Sequence, residues 1–295
     1  MIPLSSKLIV RTLATLLSLF VLIVSDLRAQ QRPLLTEDVD IIPTGTLRVE
    51  AGIDFVQDIK FPLSGLRGDL TRVGVVSLNI GLAPNVEVQI DGVAQNFLSI
   101  NSQTLPSPIN LDLAPGALST NDTGDFTLST KIKIRNETRR SPSLGFRFGV
   151  QLPNSNETRG LGTNSTNAYG TILVGKKFGR DNRLNMFGNI GIAILNAPTE
   201  QFTQNDVLLY GIAGLYRFNR SINIAGEING RANTRRGRAP LGTESQSEAR
   251  LGLQIKTSGL RFDFAGIAGL TEFSPRTGLT FGVTYDTPSV FTPAK

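Results

Sequence analysis

The sequence lacks both cysteine and histidine throughout its 295 residues. Without cysteine there is no disulfide framework and no thiolate metal site, and without histidine there is no imidazole metal ligand. The absence of histidine also removes the commonest general base and excludes a Ser-His-Asp triad. A glycine-rich phosphate loop is missing as well, because Gly160 and Gly162 lack a third glycine and a following helix. We therefore expect no enzyme, no metal and no cofactor.

Long apolar runs are almost as scarce. Charged residues make up 18% of the chain and the mean hydropathy is −0.01, which excludes a multi-span helical protein. The one long apolar run, Leu13–Val24, follows Lys7 and Arg11 and precedes the small residue Ala29, an order typical of a secretory signal peptide. The alternative, a membrane anchor, is disfavoured because such a short helix cannot span about 30 Å of hydrocarbon. We predict a cleaved signal peptide over residues 1–29.

Alternation of apolar and polar residues dominates the rest of the chain. It is clearest between Gly124 and Leu152, where two alternating runs are separated by a polar break at residues 136–143. Side chains of a strand point to opposite faces in turn, so each run has an apolar face and a polar or cationic face. Runs of roughly ten residues with one uncharged face are longer than usual soluble strands and are typical of a wall that contacts lipid on one side.

Twelve segments of this kind can be traced. The predicted strands are residues 46–56, 70–82, 86–95, 126–135, 144–152, 168–178, 184–194, 207–218, 222–231, 248–256, 260–271 and 279–286. The breaks after the first, third, fifth, seventh and ninth strands are long and polar, whereas most of the others are tight. This alternation and an even strand count are typical of bacterial outer-membrane barrels. The sequence thus predicts an all-β protein, a single antiparallel transmembrane β-barrel of about twelve strands with short periplasmic turns and long external loops.

The barrel prediction divides the chain into four parts. The signal peptide is followed by a periplasmic lead-in at residues 30–44, the barrel at 45–287 and a C-terminal tail at 288–295. The Ser-, Asn- and Pro-rich stretch Ser99–Thr123 is predicted to be an exposed loop that partly covers the mouth.

Two strands have an ambiguous pattern. In the sixth, Ile172 and Val174 compete with Tyr169 and Leu173 for the outer face, and the eighth is apolar on both faces near its start. For the eighth strand we assign outward the residues Leu208, Tyr210, Ile212, Tyr216 and Phe218. A soluble secreted β-sandwich is the alternative fold, because a sandwich hides an apolar face equally well.

The polar side chains that alternate with the apolar ones along each predicted strand define the candidate site. The side chains predicted to line the pore are Arg48, Glu50, Asp54, Glu87, Asp91, Lys131, Lys133, Arg135, Arg147, Glu227, Arg231, Arg250, Arg261 and Asp263. Cross-strand ion pairs are favoured over a catalytic carboxylate dyad, since opposite charges commonly face each other on neighbouring strands. So many charges would be costly in a dry interior, which favours a narrow pore. The alternative is that these charges neutralise one another and seal the barrel.

Two stretches resemble one known family. Residues Arg32–Asp38, followed by Pro43–Gly45, resemble the start of its mature proteins, and Gln151–Asn154 with Gly160–Thr163 resembles the loop after its fifth strand. The family is that of the bacterial outer-membrane phenol-degradation meta-pathway proteins, which are described as transporters. The resemblance implies an outer-membrane β-barrel that admits aromatic or other small hydrophobic compounds. It carries over no binding residues. The chain departs from most such barrels by ending on Lys295 rather than on an aromatic residue.

These observations lead to one functional hypothesis and one alternative. The hypothesis is an outer-membrane channel for passive uptake of small solutes. The alternative is a sealed barrel that binds a partner through its external loops. The expected partners are outer-membrane lipid, lipopolysaccharide, the barrel assembly machinery and small-molecule solutes, while the oligomeric state is left open. The basic cluster Arg235, Arg236 and Arg238 is assigned to lipopolysaccharide phosphates or solvent rather than to nucleic acid.

Overall fold

A computed structural model gives the architecture of residues 32–200 and 205–291. The predicted signal peptide and residues 292–295 lie outside the described residues. Thirteen strands are present: β1 Leu47–Phe61, β2 Leu66–Ala83, β3 Val86–Gln103, β4 Ser119–Asp122, β5 Thr127–Arg135, β6 Ser143–Gln151, β7 Asn167–Phe178, β8 Leu184–Ile194, β9 Asp206–Arg217, β10 Ile222–Asn233, β11 Gln246–Lys256, β12 Leu260–Gly269 and β13 Thr277–Asp286. In these described ranges, no helix is long and apolar enough to cross a membrane.

The strands close into a barrel. From β5 to β13 each strand pairs antiparallel with its neighbour in sequence, and β13 returns to β1, where Arg48 lies opposite Asp286. β1 pairs with β2, β2 with β3, and β3 with β5, which completes the circle. The short strand β4 pairs only with the far end of β3, so the wall has twelve strands and one addition. The predicted fold class is confirmed.

The two ends of the barrel differ. The end that holds the first residue of β1 and the last residue of β13 also holds the short connections, and we call it the turn end. The opposite end, called the loop end, holds the long connections 104–126, 152–166 and 234–245. The predicted alternation of long and short breaks is present except at the first break.

Two predictions about the loop end are wrong. The first connection is short, because β1 runs to Phe61 and β2 begins at Leu66. Beyond the residues that alternate clearly, the two strands remain paired as a hairpin. Arg67 of β2 forms an ion pair with Asp58 of β1 in this extension. Ser99–Thr123 is also not all loop, since β3 extends to Gln103 and β4 pairs back on it. In these extensions the pattern inverts, because Ile59, Leu66 and Leu98 are buried in one apolar cluster while Arg67, Asp69 and Ser99 are exposed.

The faces of the wall follow the predicted parity. Apolar residues of one parity are exposed on the outside, and the ambiguous strands are resolved in the same way. On β7, Ile172 is 52% exposed while Leu173 is fully buried. On β9, Ile212 and Tyr216 are exposed, and so is Phe218 directly after the strand, as assigned. An uncharged outer surface of this kind is what hydrocarbon requires, since a cation at the midplane of a bilayer costs about 2–4 kcal/mol.

The segment before β1 lies inside the barrel. We call residues 32–44 the plug. Its residues Leu34, Thr36, Glu37, Asp38 and Val39 are all buried, although they belong to no strand. The plug contacts inward-facing side chains of strands around the circle, which the next subsection describes. The lead-in predicted at residues 30–44 therefore lies inside the barrel over residues 32–44, the part that the structure describes. It is folded into the interior because its carboxylates and apolar side chains find partners there.

A disulfide test follows from the placement of the plug. A Cβ atom built at Gly211 on β9 lies 3.3 Å from the Thr36 Cβ, close to the roughly 3.5–4.5 Å that a disulfide requires. Because the chain has no cysteine of its own, the double variant Thr36→Cys/Gly211→Cys should form a single internal disulfide on mild oxidation. Peptide mapping by mass spectrometry of the unreduced protein measures it.

The matched control pairs Thr36→Cys with Gly266→Cys. A Cβ at Gly266, which is on the exposed face of β12, has no atom within 4 Å. This pair should keep two free thiols. Free thiols in the Gly211 pair as well would contradict the internal position of the plug.

Candidate functional site

The interior of the barrel carries a cationic patch on adjacent strands. Lys131 and Lys133 of β5, Arg147 of β6 and Lys177 of β7 face the same region, and Lys131 lies directly opposite Arg147 across the strand pair. Like charges opposite each other on neighbouring strands repel and destabilise a sheet. The patch therefore needs carboxylates close by.

The plug supplies the first of these carboxylates through Glu37. The Lys131 Nζ lies 2.7 Å from Glu37 Oε1 and 3.3 Å from Glu87 Oε1 of β3. Arg147 reaches Glu37 Oε2 at 3.6 Å and Asp91 at 2.8 Å. Glu37, Glu87 and Lys131 are all almost completely buried. One plug carboxylate thus links three strands of the wall through a closed set of ion pairs.

Asp40 and Asp38 are the other two carboxylates of the plug that contact the wall. Asp40 accepts hydrogen bonds from Lys133 at 2.8 Å and from Lys177 at 2.6 Å, so it neutralises the remaining cations of the patch. Asp38 accepts from the amide of Asn185 on β8 at 2.9 Å. The plug is therefore held on one side of the barrel by charge.

The opposite side of the barrel holds the plug by its backbone. The Glu227 carboxylate on β10 accepts hydrogen bonds from the Leu35 and Thr36 N–H groups at 2.7 and 2.8 Å. Arg250 of β11 donates to the Pro33 carbonyl at 3.1 Å and lies 3.7 Å from Glu227. These bonds satisfy the polar groups of an extended segment that has no strand partner.

The beginning of the plug is anchored separately. The Arg32 guanidinium donates to the Val75 carbonyl at 2.8 Å and lies 3.9 Å from Glu50. The Arg32 carbonyl accepts from Gln254 at 2.6 Å and from Arg261 at 3.3 Å.

An apolar contact orients the plug between these polar anchors. Leu34 packs with Phe187 of β8, Ala213 and Leu215 of β9 and Ala225 of β10. These inward apolar residues explain why the predicted eighth strand is apolar on both faces: one face lies on the outer surface and the other lies under the plug.

The remaining predicted site residues are also inside, with one exception. Arg48 forms a bidentate pair with Asp286 at 2.6 and 2.8 Å. Asp54 accepts from Thr280 at 2.7 Å, and Arg261 pairs with Asp263 at 2.8 Å. The exception is Arg135, which is exposed at the end of β5 and donates to the Pro142 carbonyl. Arg135 misses the interior because a register shift between Lys133 and Arg135 ends the regular pairing of β5 with β6.

The plug residues are the functional candidates that strand periodicity misses. Glu37, Asp38 and Asp40 lie in a stretch without a repeat, so alternation gives no hint of their position. Two signals in the sequence do point to them: the cations crowded on the inner parity of β5 and β6, and the inner apolar residues of β9. Both indicate a partner inside the barrel.

A cavity of about 510 Å³ lies on the loop-end side of the plug. Leu35 of the plug contributes to its floor, and Leu161 and Glu244 come from the loops above. Burial raises the pKa of the Glu244 carboxyl, which accepts hydrogen bonds from the Gly242 N–H. The wall contributes Arg231 and other charged and apolar side chains. The cavity is thus a vestibule that the plug closes on one side.

Comparison with known structures gives this barrel relatives of the same fold. The COG4313 outer membrane channel from Pseudomonas putida F1 matches with a TM-score of 0.60 and 15% identity, over 85% of this chain and 98% of that chain. The NanC porin matches with a TM-score of 0.49 and 10% identity, over 81% of this chain and 98% of that chain. At 15% identity the likeness to the COG4313 channel shows the barrel fold. No protein-family model and no curated protein matches the sequence.

A stability prediction follows from the buried ion pairs. Glu37→Gln removes the carboxylate that Lys131 and Arg147 share in the interior. Breaking one partner of a buried pair costs about 3–5 kcal/mol, so we expect a loss of unfolding free energy at the lower end of that range because Glu87 and Asp91 still pair with the cations. The urea midpoint for conversion of the folded to the unfolded gel band measures the change.

Glu272→Gln is the matched control. Glu272 pairs with Lys60 at 3.0 Å, but its side chain is 71% exposed, and exposed pairs contribute about 0–1 kcal/mol. Equal midpoints for the two variants would show that Glu37 is not held in a buried network.

Proposed function

We propose that this protein is an outer-membrane channel through which small solutes diffuse, with the plug as its constriction. One observation carries the proposal: the plug is held in the interior by hydrogen bonds, ion pairs and one apolar contact. It has no covalent link to the wall except at the start of β1. A segment anchored by reversible contacts narrows a passage without sealing it permanently. The vestibule on its loop-end side gives a solute a place to enter.

The outer membrane is the location that fits this molecule best. The outer face is uncharged and apolar along most strands, and the loop end carries the long connections that outer-membrane barrels turn outward. The fold relative in Pseudomonas putida F1 is named an outer membrane channel. In this orientation Arg235, Arg236 and Arg238 face lipopolysaccharide, and the turn end with the start of the plug faces the periplasm. Uptake of aromatic or hydrophobic compounds, as the phenol-degradation family resemblance implies, stays a prediction.

A sealed barrel that binds a partner is the second candidate. It is favoured by the buried plug and by two leucines of the long connection after β3, Leu105 and Leu118, which are strongly exposed. Apolar side chains at such loop positions are expected where a partner covers them. The two candidates differ in conductance.

Planar bilayer recordings test the channel. We expect small single-channel steps from the intact protein and steps several-fold larger after deletion of residues 32–42, because pore conductance rises with open cross-section. A deletion of residues 114–116, which are uncharged and exposed, is the control and should leave the step size nearly unchanged. Should the plug deletion not fold, Glu227→Gln loosens the plug backbone instead. A lack of steps from the intact protein would contradict the channel and favour the sealed barrel, whatever the plug deletion gives.

Ion selectivity provides an independent test of the plug. The double variant Glu37→Gln/Asp40→Asn leaves the cationic patch of β5, β6 and β7 under-neutralised, so we expect a shift towards anion selectivity. The reversal potential in a potassium chloride gradient measures it. The double variant Glu200→Gln/Glu272→Gln, which removes two exposed loop carboxylates, should shift the potential less. An equal shift in both would show that the plug does not border the ion path.

A further inference from the structure

The vestibule has an apolar floor that no side chain covers. Leu35 is 55% exposed, although its neighbours in the plug, Leu34 and Thr36, are 3% and 2% exposed. Glu227 holds the Leu35 N–H, so the residue is fixed in place rather than left loose. Leu161 and Leu209 also line the cavity. An apolar surface held inside a polar lumen is suited to an apolar part of a ligand.

The wall of the vestibule carries a cation that forms no direct ion pair. Arg231 donates from Nε to the Glu244 carbonyl at 3.0 Å and from Nη2 to the Gly242 carbonyl at 3.1 Å. Within the part of the chain that the structure describes, it forms no ion pair. The other arginines of the cavity, Arg72 and Arg250, pair with Asp54 at 3.6 Å and Glu248 at 2.6 Å. The Glu244 carboxylate is near enough to interact with Arg231 electrostatically, but it forms no direct ion pair with it, so Arg231 brings a remaining donor to the cavity.

A second unsatisfied donor lies on the same face of the same strand. Asn229 is two residues before Arg231 on β10, so both side chains point inward. Both residues line the cavity. The Asn229 amide nitrogen is buried and has no hydrogen-bond partner among the described residues. This nitrogen has almost no accessible surface, so a ligand oxygen in the cavity reaches it once the Asn229 side chain turns towards the cavity, and the hydrogen bond formed there satisfies the donor. A carboxylate accepts from both an arginine and an amide.

From these features we propose that the vestibule binds a small amphipathic carboxylate, with its carboxylate at Arg231 and Asn229 and its apolar body over Leu35 and Leu161. A volume of about 510 Å³ lies within the range of sites for small organic ligands. The excess of cations over carboxylates around the cavity disfavours cations, and the apolar floor disfavours sugars. This inference rests on the proposed function, since it names the class of solute that the channel takes from the loop end.

Calorimetric titration of the detergent-purified full barrel with benzoate tests the site. Acetate offers only the carboxylate and benzyl alcohol only the aromatic ring, so both should bind at least about tenfold more weakly than benzoate. The variant Arg231→Gln should lower benzoate affinity about tenfold, which is the loss expected for one charge-assisted hydrogen bond, and leave benzyl alcohol unchanged. Leu35→Asn should weaken both benzoate and benzyl alcohol.

The control is Lys60→Gln, which makes the same change of charge at the cavity rim but removes a cation already paired with exposed Glu272. It should change benzoate affinity less than twofold. Arg231→Lys keeps the positive charge but lacks the planar guanidinium, so its benzoate affinity should lie between those of the parent protein and Arg231→Gln. This variant separates the loss of charge from the loss of the hydrogen bonds to the loop. Equal binding of benzoate and acetate, or an unchanged affinity in Arg231→Gln, would overturn the proposal.

The binding experiment is separate from the channel experiment. Benzoate binding by a barrel that gives no conductance would support the site and contradict the channel. Conductance without benzoate binding would contradict the site alone.

Discussion

The match between the carboxylates of the plug and the cations of the wall is the constraint on which the rest of the structure depends. Lys131 is almost fully buried in the barrel interior, and an unpaired ammonium group in such a place costs several kcal/mol. The wall carboxylates Glu87, 3.3 Å from Lys131, and Asp91, 2.8 Å from Arg147, leave Lys133 and Lys177 short of negative charge. Glu37 and Asp40 of the plug supply it. The barrel wall and the segment before it are therefore one folded unit.

This constraint also explains the composition of the opposite wall. An interior lined only by charges would leave the plug free to shift around the lumen, because ion pairs tolerate many geometries. The apolar contacts of Leu34 with Phe187 and Leu215 fix its direction, and Glu227 fixes its backbone. The inner face of β9 and Phe187 of β8 are apolar for this reason. A wall that faced only water would carry polar residues there.

Periodicity predicts the wall well because burial on a strand is a local property. The side chains of Leu128 and Phe146 point outward wherever their strands lie in the barrel, so alternation alone assigns them. It also places Glu87 and Lys131 inside, and the structure brings them directly opposite each other on β3 and β5. The short first connection is missed because strand pairing there continues beyond the apolar belt, where the pattern inverts and Leu66 is buried while Arg67 is exposed.

The plug could not be placed by the same means. Its path depends on contacts between Glu37 and residues such as Arg147 that are more than a hundred positions away, and a segment without a repeat carries no signal of its face. What the sequence does offer is an imbalance: cations on one inner wall and apolar residues on another, with no local partner for either. The position of the carboxylates follows only when the barrel is closed and the two walls face each other.

Arg250 connects the plug to the vestibule. It lines the cavity, donates to the Pro33 carbonyl and lies near the Glu227 carboxylate that holds Leu35 and Thr36. A negative charge in the cavity would compete with Glu227 and the Pro33 carbonyl for Arg250, because a guanidinium has a fixed set of donors to share. The cavity and the contacts that keep the plug in place therefore share this one side chain.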